Sequence, residues 1–420
     1  MRKILFISPS GTMDNGAEIS NFNLMKYLVA SGHQVFNVAP QARHESQIVY
    51  YDRSREAGIE TNFIPILKWW WEEAPSGYPG TLEERAMFHR ENIKVIQEYI
   101  EKNQIDLVIT NTVNMFQGAV AAAITGVPHF WMIHEFPEGE FGYYKEKIDF
   151  ISAYSNELYS VSGELNQRLN ELFNPRLVKE FSPYTEIHAQ ELKAGKKRRI
   201  VSVGRLTKRK NQLELIKAFE QLSRNDLELV LIGAWDDDYI KLCKNYIKEH
   251  QVKGVTFKGN LENPWSEVTD QDICVFPSAM ETFGLVYVEA LLNGVPVVLS
   301  DNPGHLSAYN IFNFGKLYQS GDVHDLTEKI VELLENFSTA KEAATAFKPT
   351  AKDYYQIATV YKELLQDIDS YETSSISPLR HLEYVLATNE KKSRLARLEL
   401  KIRRFKNKVV NRINRYFGRV

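Results

Sequence analysis

The sequence predicts an α/β protein built from two doubly wound domains in series, followed by a helical, basic C-terminal tail. Three observations carry this: a length of 420 residues, strand-like apolar runs that alternate with helical patterns in two successive series, and cations concentrated in residues 391–420. A chain of this length is too long for one ordinary compact domain and suffices for two with separate cores. At 44% hydrophobic and 25% charged residues, the composition is that of a globular protein.

The first series begins with the apolar run ILFIS at residues 4–8 and the polar loop SGTMDNGAE at 10–18. A helical pattern follows with Ile19, Phe22, Met25 and Val29 on one face, Gly32 as its stop, and then the strand HQVFNVA at 33–39. This is one βαβ unit, with its loop at the carboxyl end of the strand, where doubly wound sheets bind ligands. IDLVIT, the helix GAVAAAITG, the strand HFWMIHE and a short YSVS continue the alternation, so residues 1–180 are expected to form one Rossmann-like domain.

A charged break, ELKAGKKRR at 191–199, separates the second series. IVSVG, a helix from Asn211, LELVLIG, a helix through Leu242, VTFKG, ICVFPS, a helix through Glu289 and VPVVLS place a second Rossmann-like domain over 198–350. Its near-continuous apolar strands predict a parallel sheet covered on both faces. A C-terminal helix is expected over 351–366, centred on Tyr354 to Leu365, then a linker and tail over 367–420 with a Ser-rich stretch at 373–377.

The most informative stretch is PSAMETFGLVYVEALLNGVPVVLSDNPG, which reads as strand, loop, helix, glycine stop and strand. A helix that starts near Phe283 or Gly284, with Leu285 beside it, offers free N–H groups and a positive dipole end to a diphosphate. Glu289, about 6 to 9 Å further along the helix, reaches ribose hydroxyls on the nucleoside side, and Glu281 faces the sugar. In VSVGRLTKRKNQ, Arg205 and Lys210 follow a strand and border the next helix, where a cation pair neutralises a leaving diphosphate without a metal. Lys208 and Arg209 read as ordinary solvated cations of that loop.

ETFGLVYVEA and GRLTKRKN, together with the NGAE loop before a helix and the GHQV strand, resemble glycosyltransferase family 4 over about residues 1–365. The resemblance implies the GT-B fold, in which two Rossmann-like domains face a central cleft, and sugar transfer from a nucleotide diphosphate sugar with retention of configuration. It assigns donor-sugar hydroxyls to Glu281, the ribose to Glu289 and the diphosphate to Arg205 and Lys210, with donor contacts also at Gly16, Phe283, Gly284 and Leu285. A family histidine near the donor sugar corresponds to His134, after the apolar strand FWMI. The catalytic set implied is therefore His134, Glu281, Arg205 and Lys210. Two positions depart from the family pattern: Asn15 stands before Gly16 where a glycine is usual, and Pro303 before Gly304.

The remaining signals set the surroundings. Asp236 to Asp238 resemble a metal-binding acidic triplet, but follow LVLIGAW and read as a helix cap, and no metal or other cofactor is predicted. Cys243 and Cys274 have neither disulfide nor zinc spacing. The run from Ile4 to Ile7 is too short for a signal peptide, and no stretch approaches the roughly 20 apolar residues of a membrane span.

Residues 391–420 hold twelve Lys or Arg against Glu399 alone, within an overall charge of −3. Leu395, Leu398, Ile402, Phe405, Val409, Ile413 and Tyr416 recur among them at helical spacing, which describes a basic amphipathic helix suited to an anionic membrane surface, with a solvated or partner-binding helix as the alternative. Nucleic acid is not an expected partner. Trp69 to Trp71 suit an acceptor site, contact with lipid headgroups or ordinary packing of a long loop. The expected activity is retaining transfer to a glycan or lipid-linked acceptor at the cytoplasmic membrane face, in bacterial surface-glycan synthesis. The alternatives are a nucleotide-sugar epimerase and a non-catalytic transferase-like subunit.

Overall fold

The computed structural model describes residues 1–42, 45–69, 81–186 and 191–372. Two sheets organise them. The first contains β1 (Lys3–Ile7), β2 (Gln34–Pro40), β3 (Glu60–Ile64), β4 (Leu107–Asn111), β5 (His129–Ile133), β6 (Glu157–Val161) and β7 (Lys179–Phe181). The second contains β8 (Arg199–Val203), β9 (Glu228–Ile232), β10 (Val255–Gly259), β11 (Asp272–Phe276), β12 (Val297–Ser300) and β13 (Lys316–Tyr318). Their orders are β3-β2-β1-β4-β5-β6-β7 and β10-β9-β8-β11-β12-β13, with every pair parallel. The two Rossmann-like sheets of a GT-B architecture are therefore present. β4, β5 and β11 are buried along their whole length, as expected of strands sandwiched between helical layers.

In both sheets the strand order reverses direction beside the first strand, between β1 and β4 and between β8 and β11. The carboxyl ends of these strands open the crevice where doubly wound sheets hold ligands. In the second domain the loops that leave β8 and β11 carry residues 204–210 and 277–284, so the topology brings Lys210 and Glu281 together.

The expected C-terminal helix over 351–366 is instead interrupted. A helix over Phe337–Tyr354 gives way to a short turn of helix at Ile357–Val360 and then to Lys362–Ser370. The breaks fall where Tyr355 and Tyr361 turn their hydroxyls inward: Tyr355 Oη donates to the Pro183 carbonyl at 2.6 Å, and Tyr361 Oη bonds the Ser20 hydroxyl. The last helix continues beyond residue 366 because Asp367 pairs with Lys179 at 2.5 Å and with the Tyr159 hydroxyl, which ties the C-terminal segment back onto the first sheet. Residues 373–420, with the Ser-rich stretch and the basic amphipathic pattern, lie outside the described residues.

Candidate functional site

Glu281 lies in the loop after β11 and is only 6% exposed. Its Oε1 is 2.5 Å from Lys210 Nζ and its Oε2 accepts from Arg209 Nη1 at 3.1 Å. Burial by itself would raise this carboxyl; Lys210 and then Arg209 outweigh it and hold the group down at about 2. A buried ionised carboxylate held by two cations is costly unless something uses it. Lys210 meets this oxygen as an ion pair, and Glu281 Oε1 has no hydrogen-bond donor on it among the described residues, so the pair presents both acceptor and donor atoms to a ligand.

Three residues beyond Glu281 the chain turns through Gly284 into the helix Leu285–Leu292. Gly284 has φ +93°, a left-handed conformation that favours glycine, and a Cβ there would fall 2.7 Å from His305 Cδ2. Both constraints keep the helix entrance open, with its first N–H groups and positive dipole end beside Lys210 and Glu281. The helix begins at Leu285, just after the expected start. Phe283, just before it, is buried at 3% exposure.

Glu289, one turn into this helix, accepts from Trp265 Nε1 at 2.8 Å. Burial raises its carboxyl against the opposing pull of Trp265, Thr185 and Lys210. Pro303, the departure noted above, occupies the first turn of the helix Pro303–Phe312, where its missing N–H costs nothing, and Asn302 caps that helix through Gly304 N and His305 N. The same Asn302 oxygen also accepts from Glu281 N at 3.2 Å, which fixes the loop below the carboxylate.

The first domain meets this site from across the cleft. Asn15 caps the helix Gly16–Ala30 by accepting from Glu18 N at 3.0 Å, so the second departure is a competent N-cap. A Cβ on Gly16 would lie 3.0 Å from Leu285 Cδ1, which sets two helix entrances face to face. Glu18 is fully buried and holds the preceding loop by accepting from Ser10 N, Ser10 Oγ and Gly11 N.

His134 follows β5, is 7% exposed and stacks edge-on against Phe181. Burial lowers its imidazole to about 3, so the ring is neutral, and its Nε2 has no hydrogen-bond partner among the described residues. Next to it, burial pushes the Glu135 carboxyl up to about 7 despite bonds from His134 N and Val113 N.

Of the predicted residues, the structure assembles Lys210, Glu281, Gly284, Leu285 and Glu289, and sets Gly16 opposite. Arg205 is exposed, and its side chain makes no hydrogen bond or ion pair among the described residues. Arg209, read from sequence as a solvated loop cation, is instead the second cation on Glu281; its position directly before Lys210 was the available signal. Trp265 and Asn302 carried no motif that marked them, and Glu18, the last residue of the NGAE loop, was given no role of its own. Trp69 is buried against Phe116 and Phe150, with its backbone N–H bonded to the Asn114 carbonyl, which makes it a packing residue. Trp70 and Trp71 lie outside the described residues. Asp236 caps the helix Asp237–Glu249 by accepting from Asp238 N, and no cluster of metal-binding side chains occurs among the described residues. Nor is any helix among them long and apolar enough to cross a membrane.

Residues 14–173 match the family described as Glycosyltransferase Family 4, and residues 183–353 match Glycosyl transferases group 1. Among curated proteins, the chain is 29% identical over 161 residues to the N-acetylgalactosamine-N,N'-diacetylbacillosaminyl-diphospho-undecaprenol 4-alpha-N-acetylgalactosaminyltransferase of Campylobacter jejuni, covering 38% of this chain and 43% of that one. It is 30% identical over 160 residues to the poly(glycerol-phosphate) alpha-glucosyltransferase of Bacillus subtilis, covering 37% and 24% respectively. The chain thus spans less than half the length of these curated relatives. Among solved structures, Anabaena HepE in complex with UDP and glucose superimposes with a TM-score of 0.69 at 18% identity, over 88% of this chain and 100% of that one. TarM superimposes with a TM-score of 0.67 at 15% identity, over 88% and 99%.

Proposed function

Because this chain belongs to the glycosyltransferases of the GT-B fold, we propose that it transfers a sugar from a nucleotide diphosphate sugar to a hydroxyl acceptor, with retention of anomeric configuration. The observation that carries this reading is the buried Glu281 carboxylate, held ionised by Lys210 and Arg209 at the entrance of the Leu285–Leu292 helix. The diphosphate lies against the helix N–H groups and Lys210, with Arg205 exposed on the same loop to reach its outer oxygens. Glu281 accepts sugar hydroxyls, and Glu289 accepts ribose hydroxyls. Gly16 and His134 close over the sugar from the first domain, the neutral imidazole offering a hydrogen bond without a charge.

Negative charge develops on the leaving diphosphate as the glycosidic bond breaks, and fixed N–H donors and cations stabilise that charge without reorganisation. Positioning of the acceptor hydroxyl supplies the rest. No protein nucleophile and no metal enter this scheme. The names of the relatives support an acceptor in bacterial surface glycans, either a glycan or a lipid-linked saccharide. Residues 391–420 then hold the enzyme on the anionic cytoplasmic face of the membrane.

The test is incubation of the purified chain with a panel of nucleotide sugars, with and without acceptor, and proton NMR of the product anomer. Acceptor-dependent product of the donor's own configuration is expected. Conversion of the donor without acceptor would identify an epimerase, and absence of turnover with every donor and acceptor would identify a non-catalytic subunit.

A further inference from the structure

Trp235 stands on the rim of the second domain's crevice with 39% of its surface exposed, the one tryptophan so exposed among the described residues. Its backbone is fixed beside the cationic loop. Gly233, at the end of β9, approaches Gly204 so closely that a Cβ on it would lie 2.2 Å from the Gly204 carbonyl oxygen. Leu206 N–H donates to the Ala234 carbonyl at 2.7 Å, and Asp236 N–H donates to the Leu206 carbonyl at 3.0 Å. These bonds clamp Trp235 next to Leu206, one residue after Arg205. Asp236 then caps the following helix, so the segment is rigid on both sides of the indole.

The same indole is linked to the site from its other side. A Cβ on Gly259 would meet the far edge of the ring at 3.7 Å, ordinary contact distance. Six residues later, Trp265 Nε1 donates to Glu289. The loop from Gly259 to Trp265 thus runs from the edge of the exposed indole to the tryptophan that holds the Glu289 carboxylate.

We infer that Trp235 is the platform on which the nucleobase of the donor stacks. This rests on the nucleotide-sugar reading above and extends it to the base. A flat aromatic face binds a base by stacking and is tolerant of which base it is, and a rigid indole loses little freedom on doing so. Lys244, whose Nζ is 5.9 Å from the ring centroid, adds a cation near the same ring.

The test is calorimetric binding of UDP, GDP and ADP to the full chain and to its Trp235→Phe and Trp235→Leu variants, with unfolding midpoints measured in parallel. Trp235→Leu is expected to weaken the best-bound nucleotide about 5- to 100-fold, Trp235→Phe to recover most of that loss, and the midpoints to stay together. Undiminished affinity in Trp235→Leu, or equal losses in Phe and Leu, overturns the stacking role. If the unaltered chain binds none of the three nucleotides, the donor reading itself fails, and this inference with it.

Discussion

Replacing Lys210 with methionine removes one of the two cations that neutralise Glu281 while keeping a side chain of similar length. Unit charges 2.5 Å apart attract by about 6.6 kcal/mol at an effective dielectric constant of about 20. Desolvation of both groups offsets part of this, and breaking a buried pair typically costs about 3–5 kcal/mol. Arg209 remains 3.1 Å from the other carboxylate oxygen but is 57% exposed, so its rescue is partial and the expected loss is about 3 kcal/mol at neutral pH. The pH dependence has a definite sign. A carboxyl held at about 2, below its ordinary 4.5, contributes stability that is present above pH 4.5 and lost as pH falls through 2. In Lys210→Met burial regains the upper hand and raises the carboxyl, so the variant's deficit is largest at pH 7 and shrinks toward pH 4. Turnover loses a cation on the leaving diphosphate, about 2.7–4 kcal/mol or roughly 100- to 1000-fold in kcat. Urea unfolding at pH 7 and pH 4, with initial rates at saturating donor, reads both effects. Wild-type stability at pH 7, or kcat within about threefold of wild type, would refute the reasoning.

Gly284→Ala combines an unfavourable φ of +93° with a Cβ 2.7 Å from the buried His305 ring; it should weaken nucleoside diphosphate binding by about tenfold or more through displacement of the helix entrance, and unchanged calorimetric affinity would contradict that geometry. Glu135, pushed up to about 7 by burial, stabilises the fold in its protonated form, a contribution present below pH 4.5 and lost as pH rises through about 7. Glu135→Gln should flatten the fall of stability over that interval, and a slope equal to wild type in thermal unfolding would remove the assignment. Deletion of residues 391–420 should abolish sedimentation with anionic vesicles while preserving transfer to a soluble acceptor analogue, because every proposed donor contact lies before residue 300. Equal vesicle binding by both chains would sink the membrane role.

The parts of the fold legible in the sequence were those with enough residues to show a period. Ile4 to Ile7 and the strands of the second series are continuous apolar runs, and the helices between them repeat at helical spacing, so both Rossmann-like units could be traced. β7 and β13 have three residues each, too few for any pattern. The interruption at Tyr355 and Tyr361 is not legible in the sequence because the segment's apolar spacing continues through it; what breaks the helix is the pull of Ser20 and Pro183, more than 160 residues away in sequence.

The site divided along similar lines. Glu281, Gly284 and Glu289 share one strand-loop-helix unit, so their relation was visible as spacing. Arg209 and Lys210 are neighbours with similar surroundings in sequence, and only the path of the loop after β8 shows that both reach Glu281 while Arg205 turns outward. Trp265 and Asn302 act through contacts made by folding, Trp265 with Glu289 and Asn302 with Glu281 N, and neither belongs to a motif that could have marked it.

The most direct test of the account is a crystal structure of the full chain with a nucleoside diphosphate, guided by calorimetry with the same ligand. The terminal phosphate is expected against the N–H groups at the start of the Leu285–Leu292 helix, within hydrogen-bond distance of Lys210 Nζ, and the ribose on Glu289. A nucleotide seated elsewhere, with the Lys210–Glu281 pair and the helix entrance left untouched, would contradict it.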